Sequence, residues 1–275
     1  MQEPVRAHTA AGSRGVLAAR LRAAAVLAAL PFVIAGYGIV GRVCLVLLLP
    51  FPRTLRMTAM RLARHWGRAL FALARGVGAL RLEVEGEVPA RAPFLVVANH
   101  QSLLDIPILF HVFARHLPRF VLKRELRWGL PNVSPATRAA GYAFVDRRPE
   151  AREDNLRTLE RLATGLADDG AIGVIFPEGT WEPEGRPLPL KPAGLKAMLA
   201  AAPLDVLPVV SYGSWRVQRF RDLWVGLGDL RVRVRLGRVI PAAEARRDLD
   251  ELVARLERHF ADTVEEMRRG EDPRP

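Results

Sequence analysis

From residue 81 onward the sequence alternates short apolar runs with helical patterns, and this alternation limits the fold more than any other feature. Leu82-Glu83-Val84-Glu85 has the period of two expected of a strand. Phe94 to Ala98, Phe120 to Leu122, Tyr142 to Val145, Ile172 to Phe176, Val206 to Val210 and Val232 to Leu236 are further candidate strands. Between them, Leu156, Leu159, Ala163 and Leu166 share one helical face. Leu195, Met198 and Leu199 share another, with Pro192 marking the helix start. Strands and helices in turn predict a three-layer α/β domain over 81–245, with a mixed or mostly parallel sheet. Pro208 lacks an N–H, so its run reads as an edge or irregular strand. A last helix, with Leu249, Leu252, Leu256, Phe260, Val264 and Met267 on one face, is expected to pack back on the domain as segment 246–275.

Residues 1–80 have a different character. Ala23 to Gly41 carries no charge, and about 19 residues are just enough to span a bilayer. A second apolar run, Val43 to Phe51, follows Arg42. A cleaved signal peptide fits poorly: the amino region is long and lacks a clean small-x-small cleavage site. A buried soluble helix is rarely apolar all round. The expectation is a membrane anchor, spanning or re-entrant, with flanking arginines keeping the amino end cytoplasmic. Over 53–80, Arg53, Arg61, Arg64, Arg68 and Arg75 fall within roughly 80° of a helical wheel. Leu55, Leu62, Trp66, Leu70, Leu73 and Val77 lie opposite. That is a basic amphipathic helix suited to a headgroup layer, or a solvated charged face packed on a core.

The formal net charge is +12. Lysine occurs only at 123, 191 and 196, so the cationic charge is almost all arginine. Such a chain suits an anionic membrane surface or acidic substrates. No aromatic-interleaved basic strand or nucleic-acid motif is present, so nucleic acid is not an expected partner. The single cysteine, Cys44, excludes an intrachain disulfide and a thiolate metal site.

The chemistry concentrates at Asn99-His100-Gln101-Ser102-Leu103-Leu104-Asp105. It follows the apolar Phe94–Ala98 run and precedes a helical stretch from Ile106. A histidine therefore stands where a strand ends, and an aspartate in the first helical turn. In open α/β sheets ligands bind outside the strand carboxyl ends, and a carboxylate-held histidine is a general base near neutral pH. Ser102-x-x-Asp105 is equally a capping box, and Asp105 can do both jobs.

Three later segments bear on the choice. Gly141-Tyr142-Ala143-Phe144-Val145-Asp146-Arg147 ends a short strand in an arginine, followed by Arg148; an arginine fork there suits phosphate, although surface arginines are common. Phe176-Pro177-Glu178-Gly179-Thr180-Trp181 follows an apolar strand and makes a tight turn that can bring a carboxylate into a crevice. Leu207-Pro208-Val209-Val210 is by itself only a buried strand.

Together these segments resemble the glycerolipid acyltransferase family, which includes lysophosphatidic acid acyltransferase. Its Asn-His-x-x-x-x-Asp block is matched by Asn99, His100 and Asp105. Its Gly-x-x-Phe-x-x-Arg block is matched by Gly141, Phe144 and Arg147, and its Phe-Pro-Glu-Gly-Thr block by Phe176 to Thr180. The later proline strand is matched loosely by Leu207-Pro208. Lys123-Arg124-Glu125-Leu126 looks like its Lys-x-Glu-Leu segment, and Lys191 with Gly194 like its Lys-x-x-Gly helix start. The resemblance covers roughly residues 80–240. It implies an α/β fold with an amino-terminal membrane-associated segment.

It also implies catalysis by His100 and Asp105, with Asn99, Arg147, Glu178, Gly179, Thr180, Trp181 and Lys191 at the substrate. In this mechanism His100 takes a proton from a lipid hydroxyl attacking an acyl thioester, Asp105 stabilises the imidazolium, and backbone N–H groups at the helix start hold the oxyanion. The implied partners are a membrane bilayer, a lysophospholipid acceptor and acyl-CoA or acyl carrier protein as donor. No cofactor or metal is expected, and the implied location is the cytoplasmic face of the inner or plasma membrane. One departure bears on the acceptor: many members have a basic residue where this chain has Trp181. Arg147, Arg186 and Lys191 remain to hold a phosphate; otherwise the site takes a less charged or bulkier head.

Two other classes stay in view. A hydrolase using the same pair on water releases free fatty acid rather than an acylated lipid. A non-catalytic membrane-binding protein of the same fold binds liposomes without turning over any thioester.

Overall fold

Seven apolar runs become seven strands of one sheet. The computed structural model describes residues 13–76, 80–128, 134–180, 184–218, 222 and 230–270. The strands are β1 (Arg81–Glu85), β2 (Phe94–Ala98), β3 (Pro118–Lys123), β4 (Ala143–Val145), β5 (Ile172–Ile175), β6 (Asp205–Tyr212) and β7 (Arg231–Leu236). Their order is β1-β7-β6-β2-β5-β3-β4. β2 to β6 are mutually parallel, and β7 pairs antiparallel with β6 while running parallel to β1. The sheet is mixed, as the alternation predicts. β2 and β5 are buried at every residue, which is why they read as continuous apolar runs rather than alternating ones.

The helices are α1 (Ser13–Leu48), α2 (Pro52–Gly76), α3 (Asp105–Val112), α4 (Ser134–Ala139), α5 (Arg152–Asp168), α6 (Pro192–Ala201), α7 (Ala242–Ala245) and α8 (Leu249–Arg269). From β2 the chain steps outward through α3 and α4 to β3 and β4. It then returns through α5 and α6 to β5 and β6. With right-handed crossovers these two excursions lie on opposite faces of the sheet. The step reverses between β2 and its neighbour β5, and the crevice at their carboxyl ends is the switch point where such sheets bind ligands. α8 is capped by Asp248, whose side chain accepts from the N–H groups of Asp250 and Glu251 at 3.0 Å. It buries Leu252, Leu256, Phe260, Val264 and Met267.

Pro208 corrects the edge-strand expectation, because β6 is interior, between β7 and β2. The Pro208 carbonyl accepts from Gly237 N–H at 2.8 Å, just past the last β6–β7 pair, Val209 with Leu236. The missing donor thus falls at an interruption in the pairing on the β7 side, which resumes at the Val206–Ile240 bridge, while the β2 ladder continues through Val97–Pro208.

α1 runs unbroken through Arg42, joining the two apolar runs. Its segment Arg20–Leu48 is long and apolar enough to cross a membrane, and only 12% of its most apolar window is buried. Leu17, Leu21, Phe32, Ile39, Val40, Val43, Val46 and Leu47 are exposed along it. A three-residue connection, hydrogen-bonded from Phe51 N–H to the Leu48 carbonyl at 2.8 Å, leads into α2.

α2 packs by a face between the two sides of its helical wheel. Its buried residues are Ala59, Met60, Ala63, Gly67, Phe71 and Ala74, not the leucines opposite the arginines. Gly67 lets the backbone touch the Phe110 ring of α3, which any Cβ there would enter, and Phe71 stacks on His111 with centroids 4.0 Å apart. Leu62 and Trp66 face α1 across a crevice shared with Ile34 and Tyr37. α2 is therefore wedged between α1 and the sheet domain, with Arg53, Arg61, Arg68 and Arg75 left outward.

Candidate active site

β2 ends at Ala98, and the next residues are fixed by side chains that imitate sheet bonding. Asn99 is 1% exposed. Its amide donates to the Ser211 carbonyl at 2.9 Å and its carbonyl accepts from Ser211 N–H at 2.7 Å. Both ends are thus spent on clamping β2 to β6. Asn99 thereby positions the loop that carries His100.

His100 and Asp105 do meet. His100 Nδ1 lies 2.8 Å from Asp105 Oδ2, with the two side chains 14% and 1% exposed. Oδ2 also accepts from Gln101 N–H at 2.7 Å and Ser102 N–H at 2.9 Å, and Oδ1 from Ser214 Oγ–H at 2.7 Å. An ionised carboxylate only accepts, so Nδ1 carries the proton and Nε2 is left with its lone pair. The capping-box geometry is present too: Ser102 Oγ accepts from Leu104 N–H at 3.0 Å. One aspartate ties the corner and holds the imidazole.

Part of the backbone at this corner is already engaged. The N–H groups of Gln101, Ser102 and Leu104 are taken by Asp105 and Ser102, and that of Asp105 donates to the Ser102 carbonyl at 3.2 Å.

Across the switch point, β5 delivers Phe176 and Glu178. The Phe176 ring stacks on His100 at 4.2 Å and 21°, which fixes the plane of the imidazole. Glu178 is 2% exposed. Its carboxyl oxygens complete no hydrogen bond, although the backbone N–H groups of Leu188 and His100 point at it and pull its pKa down. Burial dominates and pushes the pKa up to about 8. Glu178 is therefore a largely protonated, donor-capable acid beside the histidine at neutral pH.

Gly179 turns the chain at φ +70°, a conformation suited to glycine. Its carbonyl accepts from Arg147, which reaches over from the end of β4. A Cβ at Gly179 would come within 3.2 Å of Lys191 Nζ, so Arg147 and Lys191 converge on this turn. Lys123, at the end of β3, has its pKa lowered by burial and then by the nearby Arg147. Thr180 is half-buried beside them, and Trp181 lies outside the described residues. Arg148 and Arg124 are engaged by Asp146 at 2.7 Å each; those contacts, Arg148 foremost, hold the Asp146 carboxyl well below the usual carboxylate range. Arg186 forms an exposed pair with Glu184 at 2.7 Å. Of the expected cations, Arg147 and Lys191 meet at the turn, while Arg148 and Arg186 have partners elsewhere.

Sequence reading missed Gln101, Ser211 and Ser214. Gln101 donates to the Gly185 carbonyl at 2.7 Å and accepts from Gly213 N–H at 3.1 Å. Its signal is adjacency to His100. That of Ser211 and Ser214 is a polar run directly after an apolar strand, Ser-Tyr-Gly-Ser at 211–214.

A part-buried histidine–carboxylate pair thus stands at the switch point beside a cationic turn. Residues 81–212 match the family model described as Acyltransferase. Over that stretch, just under half of its length, the chain is similar to acyltransferases, among them 1-acyl-sn-glycerol-3-phosphate acyltransferases.

The chain is 32% identical over 158 residues to 1-acyl-sn-glycerol-3-phosphate acyltransferase alpha of Homo sapiens, covering 56% of this chain and 54% of that protein. It is 34% identical over 150 residues to the lyso-ornithine lipid O-acyltransferase of Rhizobium meliloti (strain 1021), covering 54% and 47%. The matches thus span about half the length of these curated relatives. In fold it resembles the crystal structure of the 1-acyl-sn-glycerophosphate (LPA) acyltransferase of Thermotoga maritima. The TM-score is 0.67 at 24% identity, over 93% of this chain and 96% of that one.

Proposed function

We propose that this protein transfers a fatty acyl chain from an acyl thioester to the free hydroxyl of a lysolipid, with 1-acyl-glycerol-3-phosphate as acceptor and phosphatidic acid as product. The observation that carries this reading is the His100–Asp105 pair, held 2.8 Å apart beside the turn where Arg147 and Lys191 converge. His100 Nε2 removes the hydroxyl proton as the oxygen attacks the thioester carbonyl. The tetrahedral intermediate collapses by breaking the carbon–sulfur bond, and the imidazolium returns the proton to the departing thiolate. Asp105 stabilises the imidazolium between these steps. Protonated Glu178 offers a hydrogen-bond donor to the acceptor or the developing oxyanion. Arg147 and Lys191 hold the acceptor phosphate.

The donor is acyl-CoA or acyl carrier protein, drawn by the basic surface, and no metal or other cofactor takes part. In this reading α1 sits in a bilayer and the domain lies on the cytoplasmic face of the inner or plasma membrane, which the length and apolar character of Arg20–Leu48 support. A second acceptor class is favoured by two observations: Trp181 replaces the family's frequent cation, and one relative is named for a lyso-ornithine lipid.

The test is lipid mass spectrometry after incubation with acyl donors and a panel of lysolipids. Phosphatidic acid is the expected product from lysophosphatidic acid, and His100→Ala should reduce its formation at least ~100-fold. Release of free fatty acid alone, or undiminished transfer by His100→Ala, would overturn the reading.

A further inference from the structure

At the opposite end of the strands from His100 lies a second charged cleft. Arg61 and Arg64 reach it from α2, Arg91 from the β1–β2 connection, Arg115 and His116 from the turn before β3, and Gly170 from the turn before β5. The cleft is open and holds 460 Å³. Its floor is firmly built. His116 is buried, its Nε2–H donates to the Pro89 carbonyl at 2.8 Å, and its edge packs against Phe94 with centroids 5.2 Å apart. That bond ties down the connection carrying Arg91. Nothing lies within 4 Å of where a Cβ on Gly170 would stand.

The charge in this cleft is unbalanced. Among the described residues that line it, none is acidic. The nearest carboxylate in sequence, Asp169, is held by Arg119 and by Arg56 at 3.2 Å. Arg61, Arg91 and Arg115 are exposed and make no ion pair among the described residues. Arg64 Nε is buried without a hydrogen-bond partner. Burial, followed by repulsion from Arg68 and Arg61, lowers the Arg64 pKa, so its charge is held at a cost.

Four guanidiniums brought together by three separate segments, with no carboxylate between them, form a receptor for a doubly charged oxyanion. Planar N–H forks match the tetrahedral oxygens of phosphate.

We propose that this cleft binds a phosphate-bearing anion, at a site separate from the catalytic pair and independent of the reaction assigned to it. Two sources carry this chemistry. α2 packs directly on the apolar α1, which brings the headgroups of anionic lipids within reach; free phosphate arrives from water.

The experiment uses full-length protein in non-ionic detergent, titrated separately with a short-chain phosphatidylglycerol, a short-chain phosphatidylcholine and inorganic phosphate. Binding is read by thermal shift and calorimetry. Wild type should bind phosphatidylglycerol or phosphate in preference to phosphatidylcholine. The double variant Arg91→Glu, Arg115→Glu, placed in exposed connections, should bind at least about tenfold more weakly, with its basal turnover unchanged. Arg147→Ala should bind like wild type, which separates this cleft from the acceptor turn. Binding of phosphatidylglycerol that phosphate does not displace assigns a lipid headgroup; displacement by phosphate assigns the free anion. Unchanged affinity in the double variant, loss in Arg147→Ala, or no binding of either anion by wild type would overturn the proposal.

Discussion

Replacing Asp105 by asparagine separates the charge of this residue from its shape. An asparagine with its carbonyl at the Oδ2 position keeps the bonds from His100 Nδ1, Gln101 N–H and Ser102 N–H. Its amide then faces Ser214 Oγ, which can accept as well as donate. Every buried polar atom keeps a partner, so the fold should survive. Making the charge-assisted bonds neutral should cost roughly 1–2 kcal/mol of stability. The negative charge beside the imidazole is lost, in a pair whose side chains are 14% and 1% exposed. With charge centres about 4 Å apart and an effective dielectric near 20, the attraction is about 4 kcal/mol, an upper figure for what the imidazolium-like transition state forfeits. That corresponds to about three orders of magnitude in rate. Initial rates of thiol release, with chemical denaturation followed in parallel, should show kcat down about 100- to 1,000-fold and KM nearly unchanged. Transfer within about fivefold of wild type would refute the claim that the carboxylate charge acts in the reaction. Failure to fold would refute the hydrogen-bond exchange.

Arg147→Ala should raise the KM for lysophosphatidic acid about 10- to 100-fold, as expected for losing a charge-assisted bond, while Trp181→Arg is tolerated or helpful. If wild type ignores lysophosphatidic acid and Trp181→Arg creates that activity, the phosphate acceptor is wrong. Glu178 makes stability depend on pH in a definite sense. Its folded pKa of about 8 lies above the ordinary 4.5, so the native state holds an extra proton between those values and stability falls as pH rises through that window. Glu178→Gln should flatten this slope and gain on the wild type by a few kcal/mol, to order of magnitude, above pH 8; parallel denaturation curves from pH 5 to 9 would sink the assignment. Full-length protein should sediment with membranes and stay there in high salt, because screening removes surface charge pairing but not apolar insertion. Release by salt alone would rule out insertion of α1.

The sheet was legible because each buried strand is a run of apolar residues between breakers, and all seven runs fell where strands stand. The His100–Asp105 pair was legible because His100 follows a strand end, Asp105 opens a helix, and the two lie five residues apart. What sequence hid was long range or small. Ser214 reaches Asp105 across 109 residues, and Gln101 reaches Gly185 across 84. No local pattern encodes such contacts. The packing face of α2 was not legible from its leucines and arginines, because close approach to Phe110 depends on Gly67 and the alanines beside it. Pro208 was misread because the rule against central prolines assumes unbroken ladders on both sides, and here one ladder is interrupted at the proline.

On the proposed function, with α1 in a bilayer, the wedge formed by α2 makes bilayer thickness an input to catalysis. The apolar segment of α1 has 29 residues, roughly 43 Å of helix against a hydrocarbon core of about 30 Å, so in a bilayer it has to tilt. A catalytic domain on a flexible tether would ignore that tilt. Here the connection at Leu49–Phe51 is hydrogen-bonded, α2 is packed on both sides, and the helix it grips, α3, begins at Asp105. When longer or shorter lipids change the inclination of α1, the whole assembly swings with it. The height of His100 above the headgroups then follows lipid length, and turnover should rise and fall with membrane composition even when substrate is saturating.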